Sequence, residues 1–405
     1  MKNLVFDLYT AQQMILDRCQ PLDTEKISLD KASGRILATD VKAKYNVPLF
    51  DKSPLDGYTF RAEDTEMEEG QESVTLPVTG EIPAGSCAGK PLKKGCAMKI
   101  LTGAPIPEGA DVVAKFEETT AEPGYVTLHR TYHSGDNIVR KGEDVKEDER
   151  IADCGEIIDA AVHGMLASQG IDEVEVYKTP LIGIISQGNE LLNPGEPLQG
   201  GKIYNSNRYM LGTALKLRHF SSIYLGDVQD DEMKIAEVLK NAVSMYDVVI
   251  MTGGVSVGTY DYTKSALERA GAEVLVDKIK MKPGSSCCLA ILDGVPVFGL
   301  SGNPAAAMTT FHLVAMPVIQ KMAGNKDFLP DKITVELDSD FSKKSPNMRI
   351  LKGKLDLTDG TVRMKLNENQ ANGSVSAMSG AEVFAIVPAG SGPLKKGSLL
   401  DAYLL

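Results

Sequence analysis

From Leu181 to Lys321 the chain alternates short apolar, β-branched runs with amphipathic stretches, and this alternation constrains the fold more than any other feature. Strand candidates are Leu181–Ile185, Ser222–Leu225, Asp247–Met251, Glu273–Val276, Cys287–Ile291 and Val295–Gly299. Helix candidates run over 207–217, 231–244, 262–270 and 304–321. A chain written this way forms a mainly parallel sheet covered on both faces. Ligands in such sheets bind beyond the carboxyl ends of the strands. The segments that follow the strands therefore sample the site. They are Gln187-Gly188-Asn189-Glu190, Gly226-Asp227-Val228-Gln229-Asp230, the loop from Thr252 to Gly258 with Asp261, Lys278 to Gly284, and Ser301-Gly302-Asn303-Pro304.

These segments share a chemistry of carboxylates, glycines and lysines. The stretch Asp247 to Lys264 reads as a buried strand, a glycine loop and then Asp261 at the N-cap position of a helix. That order builds an anion site at a helix N-terminus, and it equally builds a tight turn with a structural cap. Lys278, Lys280 and Lys282 alternate with Ile279 and Met281, so an extended backbone sends three ammonium groups to one face. The pattern suits an anionic ligand, and it also suits a sheet edge guarded by lysine. Glu190, Asp230 and Asp261 would repel a bare phosphate. They become useful around a divalent cation, because Mg²⁺ takes one or two carboxylates together with substrate oxygens and water. Asp230 and Asp261 also fit the role of helix N-cap.

The rest of the chain frames this region. Its 405 residues suggest about two to four domains. A formal net charge of −12 argues against nonspecific nucleic-acid binding, so an anion must meet a local basic cluster or a metal. The six cysteines form no C-x-x-C pair and are expected as free thiols of a reducing cytosol. Asp7 interrupts the apolar start, so no signal peptide is expected, and no run approaches the ~18 apolar residues of a membrane span. Thr10-Ala11-Gln12-Gln13 reads as a capping box opening a helix, followed by a short helix at 29–32 ending at Gly34. Pro48, Pro54 and Asp56-Gly57 make 47–58 irregular and tightly turned. Residues 74–145 are β in texture, with pointed turns at Thr102-Gly103-Ala104-Pro105 and Lys141-Gly142-Glu143-Asp144. An amphipathic helix is expected over 158–167, and after Gly324 the pattern is wholly β, with a hairpin turn at Thr358-Asp359-Gly360-Thr361.

Taken together, Asp56-Gly57-Tyr58, Thr102-Gly103-Ala104-Pro105, Gly142-Glu143-Asp144, Gly188-Asn189-Glu190, Gly253 to Gly258 with Asp261-Tyr262-Thr263-Lys264, Lys282-Pro283-Gly284 and Ser301-Gly302-Asn303-Pro304 resemble the molybdopterin molybdenumtransferase family (MoeA and the E domain of gephyrin). The likeness spans essentially the whole chain and rests on the order and spacing of many motifs. It implies a multidomain α/β plus β architecture. A discontinuous helical domain (1–45 and 142–178) would carry an inserted β domain (46–141), followed by a three-layer α/β molybdopterin-binding domain (179–327) and a C-terminal barrel-like β domain (328–405). It further implies a cytoplasmic homodimer that uses Mg²⁺, adenylylated molybdopterin and molybdate, releases AMP, and meets the molybdopterin adenylyltransferase and molybdoenzyme chaperones as partners.

Carried onto this chain, the resemblance implies catalytic positions at Asp56, Thr102, Asp144, Glu190, Lys278 and Lys282. Ligand-binding positions would be Gly253, Gly254, Ser256, Gly258, Lys264, Gly284, Ser301 and Asn303, with Asp230 and Asp261 on the metal. Five positions depart from the family pattern. Ser285 and Ser286 stand where Lys-Pro is common, Ser301 replaces a proline, Asn189 an aspartate, and Lys352 an arginine whose bidentate fork lysine lacks. The departures leave room for a member with altered ligand or oxyanion preference, tungstate included. Two further readings stay open: an adenylyltransferase, and a non-catalytic molybdopterin-binding scaffold.

Overall fold

In the region of strand and helix alternation, Ile182–Gln187, Ser222–Val228, Val248–Thr252 and Val295–Leu300 lie as parallel neighbours in one sheet. The coordinates are a computed structural model describing residues 4–255, 262–358 and 360–405. The sheet continues antiparallel through Ser286–Leu292 and Glu273–Ile279, and Val5–Phe6 closes its far edge in parallel with the latter. It is therefore mixed, with a parallel half that ends in the loops of interest. The antiparallel pair Ser286–Leu292 and Val295–Leu300 turns on Asp293-Gly294, both at positive φ, as a two-residue hairpin demands.

Every residue of Ile182–Gln187 and Val248–Thr252 is buried, which explains why both strands are apolar until their carboxyl ends, where Ser186, Gln187 and Thr252 stand. Period-two packing divides them between two cores. Ile182, Ile184, Val248 and Ile250 meet the helices Leu8–Leu16, Asn207–Leu217 and Pro304–Thr310 on one face. Ile185, Val249 and Met251 meet Glu232–Val243 and Tyr262–Ala270 on the other. Three layers result. Burying a leucine such as Leu211 or Leu239 contributes about 1.5–3 kcal/mol.

Local signals place the helices, with three corrections. Asp7, not Thr10, is the first N-cap, accepting a 3.0 Å bond from the Thr10 N–H. Asp231, not Asp230, caps Glu232–Val243 by accepting from the N–H groups of Met233 and Lys234. The expected 304–321 helix is interrupted by a π-helical turn at Phe311–Ala315 before resuming as Met316–Met322.

At the C-terminus, Lys332–Leu337, Met348–Asp356, Arg363–Leu366, Val383–Val387 and Leu399–Leu404 pair in a ring. Closure removes the free edges. Val335, Leu337, Leu351, Met364 and Val383 fill the interior. Met281–Lys282 adds to the outside, in parallel register with Met348 and Arg349. These elements belong to one compact unit, comprising 1–39, 154–159 and 173–405.

The second unit, 40–153 with 160–172, is built on a six-stranded sheet. Its order is Val112–Lys115, Gly57–Phe60, Ala97–Ile100, Val74–Ile82, Tyr125–Leu128 and Thr119–Glu122. Phe60, Ile82, Ile100, Val112 and Leu128 form its core, and the helix Ala160–Ser168 belongs to the same unit. Among the described residues no helix is long and apolar enough to cross a membrane.

Candidate functional site

A cavity of about 740 Å³ opens beyond the carboxyl ends of the four parallel strands, lined by residues that follow each of them. Its organising residue is Gln187, the last of its strand and 2% exposed. The Gln187 Nε2 donates to Asp230 Oδ1 at 2.9 Å, and its Oε1 accepts from the Thr263 hydroxyl at 3.0 Å. The Asn189 N–H donates to the other Asp230 oxygen at 3.4 Å. Asp230 is thus held from both oxygens at the cavity wall, while the adjacent Asp231 does the capping. Glu190 lines the same cavity.

Gly253 and Gly254 line it too, at φ +95 and +68. A Cβ on Gly253 would stand 2.1 Å from Gln187 O, and one on Gly254 2.0 Å from Gln187 Oε1. The glycines therefore let the loop close over Gln187 in a backbone conformation other residues resist. The Gly253 N–H donates to Leu300 O at 3.0 Å, so this donor is engaged within the sheet and does not face a phosphate. Ser256, Gly258 and Asp261 lie outside the described residues.

A neighbouring cavity of about 250 Å³ shares Ser286, Ser301 and Asn303 with the first and adds Lys282 and Gly284. Ser301 is buried, its Oγ accepting from the Asn303 N–H at 3.2 Å. Gly284, at φ +94, passes so close to Thr310 that a Cβ would come within 2.6 Å of its hydroxyl oxygen. Glu190, Asp230, Gly253, Gly254, Ser301 and Asn303 are thereby gathered at one mouth of the sheet, with Lys282 and Gly284 adjoining.

Two lysines are placed otherwise. Lys264 pairs with Asp277 at 2.9 Å, a half-buried contact that raises its ammonium pKa, and it lines neither cavity. Lys278 is half-buried in register with Val5 and Ser286 and also lines neither. The expected alternation does hold: Ile279 and Met281 are buried while Lys280 and Lys282 are exposed. Among the described residues, no group of three or more His, Cys, Asp or Glu side chains could hold a metal unaided.

Asp56, Thr102 and Asp144 belong to the second unit. Asp56 Oδ1 accepts from the Thr102 N–H at 2.7 Å and its hydroxyl at 2.8 Å. These bonds, the backbone one first, hold the Asp56 carboxyl below its ordinary pKa. Asp144 is exposed, and its N–H donates to Val47 O at 3.0 Å.

Several lining residues carry no local signal in the sequence. Gly373 and Val375 reach the first cavity from the C-terminal barrel. Their segment is gripped at Gln370, whose Oε1 accepts from the Lys352 N–H at 3.1 Å while its Nε2 donates to Lys352 O at 2.7 Å. The Lys352 side chain, fully buried, donates to Gln370 O at 3.2 Å. Burial, with Arg349 nearby, pushes its pKa down to about 8. Asn207, another lining residue, lies in a helix whose amphipathic pattern is all the sequence displays.

Comparison with known proteins agrees with this architecture. Residues 6–170 match the MoeA N-terminal region (domain I and II), 183–321 a probable molybdopterin binding domain, and 334–405 the MoeA C-terminal region (domain IV). A molybdopterin molybdenumtransferase of Staphylococcus aureus (strain COL) is 36% identical over 395 residues, covering 97% of this chain and 94% of the relative. One from Staphylococcus epidermidis (strain ATCC 12228 / FDA PCI 1200) is 36% identical over 379 residues, covering 93% and 90%. The crystal structure of a molybdopterin biosynthesis MoeA protein from Pyrococcus horikoshii OT3 superposes with a TM-score of 0.83 at 29% identity, covering 99% of this chain and 100% of that one. With its three matched regions and a cavity where the α/β sheet predicts a ligand, the chain belongs to the MoeA family of molybdopterin molybdenumtransferases, transferases of molybdenum cofactor biosynthesis.

Proposed function

We propose that this chain inserts molybdenum from molybdate into adenylylated molybdopterin and releases AMP. The observation that carries the reading is the convergence of Asp230, Glu190 and the Gly253-Gly254 turn on one cavity, with Lys282 in the cavity beside it. Cleaving a phosphoric anhydride demands positioning and electrostatics more than a nucleophile paired with a base. Lys282, exposed on the smaller cavity, would attract an oxyanion, and Ser286, Ser301 and Asn303, shared by both cavities, would orient it beside the organic ligand. Asp56, Thr102, Asp144, Lys278 and Lys264 enter this reading as positions that support the active assembly.

The donor set fits Mg²⁺. Asp230 is fixed by the amide of Gln187 and the N–H of Asn189, not by a cation, and Glu190 lines the same space. Such a pair supplies the one or two carboxylates that Mg²⁺ takes alongside ligand oxygens and water. Asp230 and Glu190 would hold the ion, with Asp261 as a further ligand. When bound it would supply positive charge to offset the anhydride oxygens. Gln187 would set the angle of the Asp230 carboxylate, and the glycine turn would keep Gln187 in place. On this reading the chain works in the cytoplasm as a homodimer. It would receive its substrate from the adenylyltransferase and pass its product to molybdoenzyme chaperones.

The test is incubation of the purified protein with adenylylated molybdopterin, Mg²⁺ and either molybdate or tungstate, following AMP and active cofactor. AMP release with cofactor formation is expected for molybdate. Inertness with both oxyanions removes the proposal. An AMP-linked product made from ATP and unadenylylated molybdopterin would replace it with the adenylyltransferase reading.

A further inference from the structure

Among the described residues, two buried side-chain atoms lack a hydrogen-bond partner, Arg35 Nε and Asn207 Oδ1, and of these only Asn207 lines the candidate site. Asn207 is 8% exposed and opens the helix Asn207–Leu217. Its Nδ2 donates at 2.9 Å to the carbonyl of Gly302, itself a lining residue, which fixes the orientation of the amide and leaves Oδ1 as the acceptor. A buried polar atom without a partner is costly, and such atoms in folded chains call for an explanation. An acceptor cannot be satisfied by a phosphate or molybdate oxygen. It selects a ligand group that carries a proton.

We propose that Asn207 is a specificity-determining contact whose Oδ1 accepts a hydrogen bond from a ring or amino N–H of the ligand's heterocycle. The assignment rests on the proposed function. It adds the prediction that the pterin end, with its N–H donors, lies against the Asn207 and Gly302 wall. Removing the acceptor leaves a ligand donor unpaired, a penalty that amounts to about tenfold in affinity.

The first test is AMP release by Asn207→Leu and Asn207→Asp. The leucine variant is expected to raise KM for adenylylated molybdopterin about tenfold with kcat within about twofold, because only binding is lost. The aspartate variant keeps an acceptor oxygen but loses the Nδ2–H donated to the Gly302 carbonyl, so it is expected to lose affinity, though less than the leucine variant, which loses both. A KM for Asn207→Leu equal to that of wild type overturns the assignment. So does an equal loss in both variants, which a structural role through Gly302 would produce. Should the leucine variant not fold, the wild type supplies the test. By fluorescence, 6-hydroxymethylpterin phosphate should bind about tenfold more tightly than its 1,3-dimethyllumazine counterpart, which has no ring or amino N–H. Equal binding, or none of the pterin by a wild type that turns over its substrate, overturns the contact. Absence of turnover by the wild type itself fails the functional reading instead.

Discussion

Asp230 and Asp231 are adjacent and chemically identical, yet the backbone gives them different work. Asp231 caps Glu232–Val243 through two N–H groups, whereas Asp230 is turned to the cavity and steadied by Gln187. Asp231→Ala should lower stability by about 1 kcal/mol in a urea titration and leave AMP release within twofold. Asp230→Asn keeps the shape, removes the charge and one of the two acceptor oxygens, and should lower kcat/KM at least about tenfold while costing no more than about 1 kcal/mol in urea. The reverse pattern would reassign both. The sequence displayed the acidic pair but not the division between them, because helix starts read from pattern slip by a residue and one residue is the whole difference. Lys352 makes a second residue-scale case. Below pH 8 the folded and unfolded chains both carry its proton, so the cost of burying the ammonium is present in full. Between about 8 and its ordinary 10.5 the folded chain releases the proton first; the unfolded state then binds more protons and stability rises with pH. A lowering of that size corresponds to about 3 kcal/mol, against which the bond to Gln370 O returns about 1. Lys352→Met should therefore be about 2 kcal/mol more stable than wild type at pH 7, an advantage that shrinks from pH 8 to 10.5. Equal stability at pH 7, or a gap indifferent to pH, would show that the charge is not paying a burial cost.

Elements with strong periodicity were legible. The six strands expected between Leu181 and Gly299 are all present, with ends shifted by up to three residues, and Asn207–Leu217 and Tyr262–Ala270 fall where expected. Elements whose existence depends on a distant partner were not. Val5–Phe6 is too short to show a period and is a strand only because Glu273–Ile279 offers an edge. The π-helical turn has a cause that is local in one half and remote in the other. Pro317 has no N–H to give to Leu313 O, and the ladder widens so that the Met316 N–H reaches Phe311 O. The freed Leu313 carbonyl accepts instead from Gln12 Nε2 at 2.6 Å, across 301 positions of sequence. Pro317 stands in the sequence, yet the helix was expected to run unbroken over 304–321, and nothing local pointed to Gln12. Gln12→Leu should leave that carbonyl unpaired and destabilise the α/β unit by about 1–3 kcal/mol in urea. An unchanged midpoint would show that water takes the place of the amide.

At the scale of the whole molecule, the α/β layer does not enclose its cavity alone. The C-terminal barrel closes on itself through five strands and still sends the segment after Gln370 back to the helix that Asn303 precedes. There Asn372 O accepts from the Ala306 N–H at 3.2 Å, and Gly373 and Val375 join the cavity wall. Sequence reading separated the barrel from the sheet because the pattern turns wholly β after Gly324, and a change of pattern marks a fold boundary without showing what crosses it. The likeness to domain IV of MoeA placed the barrel in the family architecture, whereas the contact itself emerges only when residues 303 and 373 are seen together. Gly373 has the backbone freedom to test this. It is not at positive φ, and a Cβ there would stand 3.0 Å from Asn303 Oδ1, tighter than an ordinary contact, so a branched side chain adds bulk at the wall to which the Asn303 side chain must yield. Gly373→Val should raise KM for adenylylated molybdopterin about tenfold, equivalent to about 1.4 kcal/mol, with thermal stability little changed. An unaltered KM would mean that the ligand never meets the barrel and that the α/β unit binds it unaided.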